Sequence, residues 1–571
     1  MVRPMGRRLP IICGLLALVL ATSASSALAQ QRPLLRISFP REDGSLTPYT
    51  FRNGYSLMTL VYDTLTWRDA GGVPRPWLAR SVRRDGPRRV VVKLRRGVRW
   101  HDGRPLTAQD VVFTYRYVAR RPHPRFTQQL SDVASVTAPD DDTVVFDLAR
   151  PSLGFLDQPL ADVPILPRHL WERVPQDRLA PPGLPVGSGP YRLVRHLPGR
   201  SYSFEANRRY FKGTPLVRRI DVPIIGTEAE SSAEVDRGTL DAAPATVPPG
   251  TISPRMRRVR LAEGISYNGT MLTFNLRRPP FHRRAARLAV ARALDLTRIA
   301  GKLRGPGATV TAERGILHPA SRWAGRTDLH RADAAAARRT FAERGVGPFD
   351  VLASSDDGVR LQAARRVVEA LRSAGAQARL VTRSASGYER SLGLGGATPN
   401  FDVAVVGIPA LASYDPAYLR TLFGDPRTSA LNESGYRSAR YDRAAERVAA
   451  APTVAARRRA VAAELRLIAD DLPVVPLFFG GTTYAYASFD YDWVRVRGGS
   501  IVDKLSFLPG SRAAERPAAA AVANPADPAG DGGVSLVPVI IGLAALMALA
   551  GGWWLLRPAR SGNAPGSRRS R

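Results

Sequence analysis

The densest group of chemistry-capable side chains lies between Val98 and Val118, in VRWHDGRPLTAQDVVFTYRYV. His101 and Asp102 are adjacent, and Thr107 and Asp110 follow three residues apart. An imidazole beside a carboxylate could serve as a general base, but that chemistry also needs a nucleophile and an orienting third group. The same residues have a complete architectural account. Within Arg89–Trp100, Val90, Val92 and Leu94 share one face at period two while Lys93 and Arg95 take the other, which predicts a strand. Asp102-Gly103 is a turn signal. Thr107 is a good helix N-cap, and Asp110 completes a capping box with Asp in place of Glu at the positive helix end. Val111, Val112, Tyr115 and Val118 then form one apolar stripe that should be buried.

Elsewhere the sequence offers little for catalysis. The seven histidines, at 101, 123, 169, 196, 282, 318 and 330, are scattered, and none stands in H-x-x-x-H spacing. There is no G-x-S-x-G and no P-loop. The single cysteine, Cys13, falls in the N-terminal leader described below, so neither a disulfide nor thiolate chemistry is expected. Any metal site would rest on His and carboxylates alone, and no close set of these exists, so no cofactor is expected. An extracytoplasmic enzyme is the weaker alternative to a binding protein. The net charge of +34 does not argue for nucleic acid, because only four of the 83 basic residues are lysines (Lys93, Lys212, Lys302, Lys504) and no nucleic-acid motif is present. A basic exterior facing anionic headgroups is the alternative use of that charge.

The chain ends place the body. Arg3, Arg7 and Arg8 precede an apolar run from Ile11 to Ala21 and then Ala27-Leu28-Ala29, the layout of a secretory signal over 1–29. At the other end, 510–533 is rich in Ala, Pro and Gly and reads as a disordered linker. The stretch 534–556 is uncharged and long enough to cross a bilayer, with Trp553 and Trp554 near one interface. The tail 557–571 carries Arg557, Arg560, Arg568, Arg569 and Arg571, which the positive-inside rule assigns to the cytoplasm. The expectation is an extracytoplasmic body, periplasmic or at the cell surface, anchored in the cytoplasmic membrane by a C-terminal helix.

At Trp100, His101, Asp102, Gly103, Pro105, Leu106, Thr107, Ala108, Asp110 and Val111 the opening segment resembles the signature of the family 5 extracellular solute-binding proteins, with Gln109 where Glu is usual. These are the oligopeptide-, dipeptide- and nickel-binding components of ABC importers. Three further blocks are similar to the family's in the same order: VGSGPYRLVRHLPGRSYSFEANRRYFKGTP (Val186–Pro215), LTFNLRRPPFHRRAARLAVARALD (Leu272–Asp295), and Ala439–Phe479 with its late helix pair and Pro-hydrophobic-hydrophobic-Pro strand. The resemblance implies an α/β fold of the two-lobed periplasmic-binding-protein type (type II), with an extra subdomain in the first lobe, followed here by the C-terminal transmembrane helix. Lobe I would comprise 30–50, 186–260 and 473–509, the inserted subdomain 51–185, and lobe II 261–472. The implied function is capture of a peptide or peptide-like solute between the lobes by hinge closure, by a monomer that feeds ABC permease subunits. A tethered sensor or scaffold without import is the alternative.

Three segments are candidates for the ligand site. In Phe401–Gly424, Val403–Gly407 reads as a buried parallel strand, and ligands lie beyond the carboxyl ends of such strands. That points to Ile408, Ala410, Ala412, Tyr414 and Asp415. Asp415 before Pro416 equally suits a helix N-cap. Ile265–Thr270, near a crossover between lobes, adds Tyr267 and Asn268, and the loop after the first strand adds Tyr49. The resemblance also exposes a departure. Peptide binders of the family carry, four residues before the proline matched by Pro416, an aspartate that pairs with the ligand's α-ammonium, and Ala412 stands there. Either the ligand lacks a free amino terminus or another acid, such as Asp415, takes that role.

Overall fold

The computed structural model describes residues 33–509 except 52–54, 124, 245–258, 304–309, 314, 326–330, 344–345, 428, 430, 488–492 and 495–499. The expected signal 1–29, linker 510–533, membrane helix 534–556 and tail 557–571 lie outside the described residues. Among the described residues no helix is long and apolar enough to cross a membrane.

The first lobe is built on a four-stranded sheet with the spatial order Leu35–Arg36, Arg219–Pro223, Ser201–Ala206, Tyr191–Leu197. Tyr191, Tyr202, Phe204, Ile220 and Val222 bury one face of it, and Trp493, Ile501, Val502 and Phe507 from the far end of the body complete that core. A second four-stranded sheet, in the order Ala79–Arg84, Arg89–Leu94, Thr143–Leu148, Val133–Asp140, is antiparallel throughout. The helix Ala108–Arg120 contributes Val111, Val112, Tyr115 and Val118 to its core, beside Val90, Val92 and Leu94. The strand predicted over Arg89–Trp100 ends at Leu94, because the Arg95 amide turns to the Leu78 carbonyl and Gly97 adopts φ +76°.

The second lobe holds a seven-stranded mixed sheet. Its order is Ala242–Pro244, Val474–Ala487, Val259–Phe274, Val403–Ile408, Phe349–Ser354, Ala378–Arg383, with Val310–Thr311 also paired to Val474–Ala487. Val403–Ile408 lies parallel to Phe349–Ser354 but antiparallel to Val259–Phe274. Its near-continuous apolar run follows from burial of both faces, Val403 and Val405 in one core and Ala404, Val406 and Ile408 in another.

Two long strands join the lobes. Val259–Phe274 and Val474–Ala487 pair antiparallel along most of their length. One end contributes Ala262 and Tyr484 to the first-lobe core, and the other contributes Leu272, Phe274, Val475 and Phe478 to the second. The first strand therefore runs through the lobe boundary expected near 260/261, and the second begins directly after the one expected near 472/473. Register shifts interrupt it between Ile265 and Gly269 and between Thr270 and Met271. Such irregularities bend a strand and re-aim its side chains. The first of them spans Tyr267 and Asn268.

Candidate functional site

The opening cluster is joinery. The Asp110 carboxylate accepts from the Thr107 amide at 2.9 Å, closing the helix start, and from the Arg168 amide, also at 2.9 Å, pinning a second loop. His101 faces away from Asp102. Its Nε2 donates to the Gly189 carbonyl at 3.0 Å, and its Nδ1 accepts from the Gly187 amide at 3.3 Å. Burial pushes the His101 imidazole down to about 4, so it stays neutral in this role. Asp102 instead meets His169, at 2.7 Å. Gly187 and Gly189 are needed where they stand, since a Cβ at either would overlap the carbonyl oxygens of Leu60 or Val61. Ser188 between them donates to Asp63 at 3.0 Å.

Asp63 is the centre of a fully buried polar node. Its Oδ1 accepts from Lys504 Nζ at 2.7 Å and from Trp77 Nε1 and the Tyr210 hydroxyl at 2.9 Å each. Lys504 also donates to the Tyr62 carbonyl at 3.1 Å and lies 4.3 Å above the Trp67 ring. Sequence blocks more than 400 residues apart are thereby locked into one lobe.

Two cavities lie between the lobes. A cavity of about 180 Å³ is walled by Arg68, the Gly71–Pro74 turn and Asp157 on the first-lobe side. Tyr267, Ala320, Arg322, Ser413 and Tyr414 form the opposite wall. The Tyr267 and Tyr414 rings are 5.0 Å apart, and the Tyr267 hydroxyl donates to the Ala320 carbonyl at 3.0 Å. The Arg68 guanidinium sits 4.1 Å over the Tyr414 ring and donates to the Asp157 carbonyl at 2.6 Å and to Gln158 Oε1 at 2.8 Å. Asp157 forms an ion pair with Arg322 and a longer one, 3.6 Å, with Arg457. Burial first, and the nearby Asp415 charge, raise the Asp157 carboxyl above its ordinary range against the pull of Arg322 and Arg457. A neighbouring smaller space of about 60 Å³ reaches from Gly154 and Gln158 to Asp415 and Tyr418, and an Arg150–Glu446 ion pair also crosses between the lobes.

The structure distributes the sequence candidates unevenly. Tyr267 and Tyr414 face the cavity together. Asn268 is exposed beside them, and its Oδ1 accepts from the Ala410 amide at 3.2 Å. Ile408 and Ala412 are buried in the second-lobe core. Asp415 caps the turn at Pro416–Tyr418, accepting from the Ala417 amide at 3.0 Å, and is ion-paired to Arg457. That aspartate is therefore committed within its own lobe. Tyr49 stands apart in a first-lobe aromatic group with Tyr117, His123 and Trp171, its hydroxyl donating to the Arg121 carbonyl at 2.9 Å. The reading of the sequence did not single out Arg68, Asp157, Arg322 or Arg457. No local pattern marks them, since the hydrogen bonds and ion pairs that link them join residues 42 or more positions apart.

Among the described residues no group of three or more His, Cys, Asp or Glu is placed to hold a metal ion. The model of the bacterial extracellular solute-binding proteins, family 5 (middle region), matches residues 73–430. The oligopeptide-binding protein AppA of Bacillus subtilis is 25% identical over 299 residues, 49% of this chain and 55% of that relative, so the aligned part spans about half the relative's length. The solved structure of Bacillus subtilis AppA with a nonapeptide superposes with a TM-score of 0.71 at 22% identity, over 83% of this chain and 99% of that one. NikZ from Campylobacter jejuni, solved with Ni(L-His), gives a TM-score of 0.72 at 21% identity over 83% of this chain and 97% of that one. These likenesses carry the two-lobed mixed α/β fold, and the proteins concerned bind solutes rather than turn them over. With the model matched over more than half of its length, the chain belongs to family 5 of the bacterial extracellular solute-binding proteins.

Proposed function

We propose that the chain is the extracytoplasmic receptor of an ABC importer, tethered by the segment 534–556, that captures a small peptide-like solute by closing two lobes about it. The observation that carries this reading is the cavity whose two walls come from different lobes, Arg68 and Asp157 facing Tyr267, Arg322 and Tyr414. A solute held there touches both walls at once, so its contacts are lost when the lobes part. Binding then shifts an open–closed equilibrium by the difference in affinity between the two states. The irregular strand pair at Ile265–Met271 supplies a bend point at which closure costs little regular pairing.

The test uses the full-length chain in detergent with dyes on cysteines introduced by R88C and R365C in a C13S background, one in each lobe. Peptides, nickel–histidine complexes, sugars and organic acids are screened for thermal stabilisation and for energy transfer between the dyes. A ligand at a hundredfold excess over Kd stabilises the native state by ~2.7 kcal/mol. At least one solute class should both raise the melting temperature and bring the dyes together. If none in the panel does either, or if a stabilising solute is chemically altered on incubation, the receptor reading fails.

A further inference from the structure

We propose that the cleft takes an anionic solute lacking a free α-ammonium, and that Asp157 stands in the closed unliganded protein where the solute's acidic group goes. The inference deepens the solute-capture reading and rests on it.

Three guanidiniums converge on Asp157. Arg322 pairs with its carboxylate, Arg457 Nη1 lies 3.6 Å from Oδ2, and Arg68 Nη2 donates to its backbone carbonyl at 2.6 Å. Arg322 and Arg457 belong to the second lobe, whereas Asp157 is on the insertion of the first. When the lobes part, Asp157 leaves with one wall and the two arginines are uncovered together on the other.

Arg457 supplies the second observation. It is 1% exposed, yet its Nε and Nη1 make no hydrogen bond among the described residues. Only its Nη2 is used, on Asp415. Idle donors on a buried guanidinium are costly, and an oxyanion placed on the Nη1 side is an acceptor that would use them there. Asp157 approaches at ion-pair range without reaching hydrogen-bond distance, so it fills the place imperfectly.

The carboxylates about the same walls are already paired, leaving none for an ammonium group. Ala412 has no carboxyl and is buried in the second-lobe core, and Asp415 is taken by Arg457 and the Ala417 amide. Asp157 is the only acid among the residues lining the larger cavity, and it is already paired. Glu464, the further acid facing Arg457 and Asp415, is kept protonated near neutrality by its burial, its carboxyl raised to about 8. Around Asp157 itself three guanidiniums gather, Arg68, Arg322 and, behind the cavity wall, Arg457, with Asp415 the second carboxylate of the group.

The test compares three pools of random tripeptides on the dye-labelled full-length chain: N-acetylated free acids, N-acetylated amides, and amides with a free amino terminus. The acetylated acids should bind, raising the melting temperature and closing the lobes, while both amide pools should be weaker by about tenfold or more, the loss expected for one charge-assisted contact. Removing the internal competitor by Asp157→Asn should tighten the acid pool and, without ligand, lower energy transfer as the cleft opens. Arg322→Gln, at a side chain that is 45% exposed and so tolerant of change, should weaken the acid pool and spare the melting temperature of the free protein. The proposal is overturned if the amides bind as well as the acids. It is also overturned if Asp157→Asn leaves the unliganded energy transfer unchanged, an outcome readable even when no pool binds. Amides that close the lobes would sink this inference alone; lobes that respond to no solute would sink the receptor reading beneath it.

Discussion

Replacing Lys504 by methionine removes one charge from the Asp63–Lys504 pair and leaves the other in place. Both side chains are fully buried, 2.7 Å apart. Methionine matches the length of the lysine stem, so the loss is electrostatic rather than a cavity. Asp63 keeps three neutral donors, Trp77, Tyr210 and Ser188, which soften the loss without cancelling the charge. Stranding one member of a buried ion pair costs about 3–5 kcal/mol. At a urea m-value of about 3 kcal/mol/M this lowers the unfolding midpoint by about 1 M or more. The double variant K504M/D63N removes both charges and keeps an acceptor for Trp77 and Tyr210, so it should recover part of the loss as a coupling energy of about 1–3 kcal/mol. The assay is urea unfolding followed by tryptophan fluorescence, since Trp67 and Trp77 both flank the lysine. A midpoint shift below about 0.3 M for K504M, with an unchanged m-value, would refute the view that this pair ties the returning C-terminal segment into the first lobe.

Three further outcomes can be checked. Gly187→Ala should destabilise by several kcal/mol or prevent folding, because its Cβ would overlap the Val61 carbonyl oxygen, whereas Gly226→Ala, with nothing within 4 Å, should stay within about 0.5 kcal/mol in the same unfolding assay. His101 is lowered to about 4 in the folded protein against an unfolded value near 6.5, so its contribution is complete above pH 6.5 and is lost as pH falls towards 4. Stability measured over that window should decline, and H101Q, whose amide can replace both hydrogen bonds, should show a slope shallower by up to one proton. Ala412→Asp should not create an ammonium site: Ala412 is fully buried in an apolar core, so the new carboxyl should cost about 2–4 kcal/mol in stability and leave the preference for free-amine peptides unchanged in competition binding.

Much of the scaffold was legible because its causes are local. The alternation at Val90, Val92 and Leu94, the Thr107–Asp110 cap and the stripe Val111, Val112, Tyr115 and Val118 are short-range patterns, and the structure carries all three. Strand length was less legible, since pairing at Arg95 was ended by a contact with Leu78 that no neighbouring residue announces. The boundary between lobes was blurred for a similar reason: one strand pair belongs to both cores, and chain position alone cannot show where it crosses.

The sequence by itself determined the structural part played by the His101–Asp110 cluster, because periodicity, capping and turn chemistry act over a few residues, while the family and the two-lobed α/β class came from the resemblance of four sequence blocks to a known family. Only the tertiary structure decided which groups meet across the cleft. Arg68 and Asp157, on one wall, are 89 residues apart, and Arg322 and Asp157, on facing walls, are 165 apart, so their convergence follows from how the whole chain packs. The same packing decided the state of Asp415. In the sequence it suits a ligand contact and a helix cap equally; in the fold it makes the cap and Arg457, 42 residues on, pairs with it. A charge acquires its role from its neighbours in space, and those neighbours are set by folding of the whole chain.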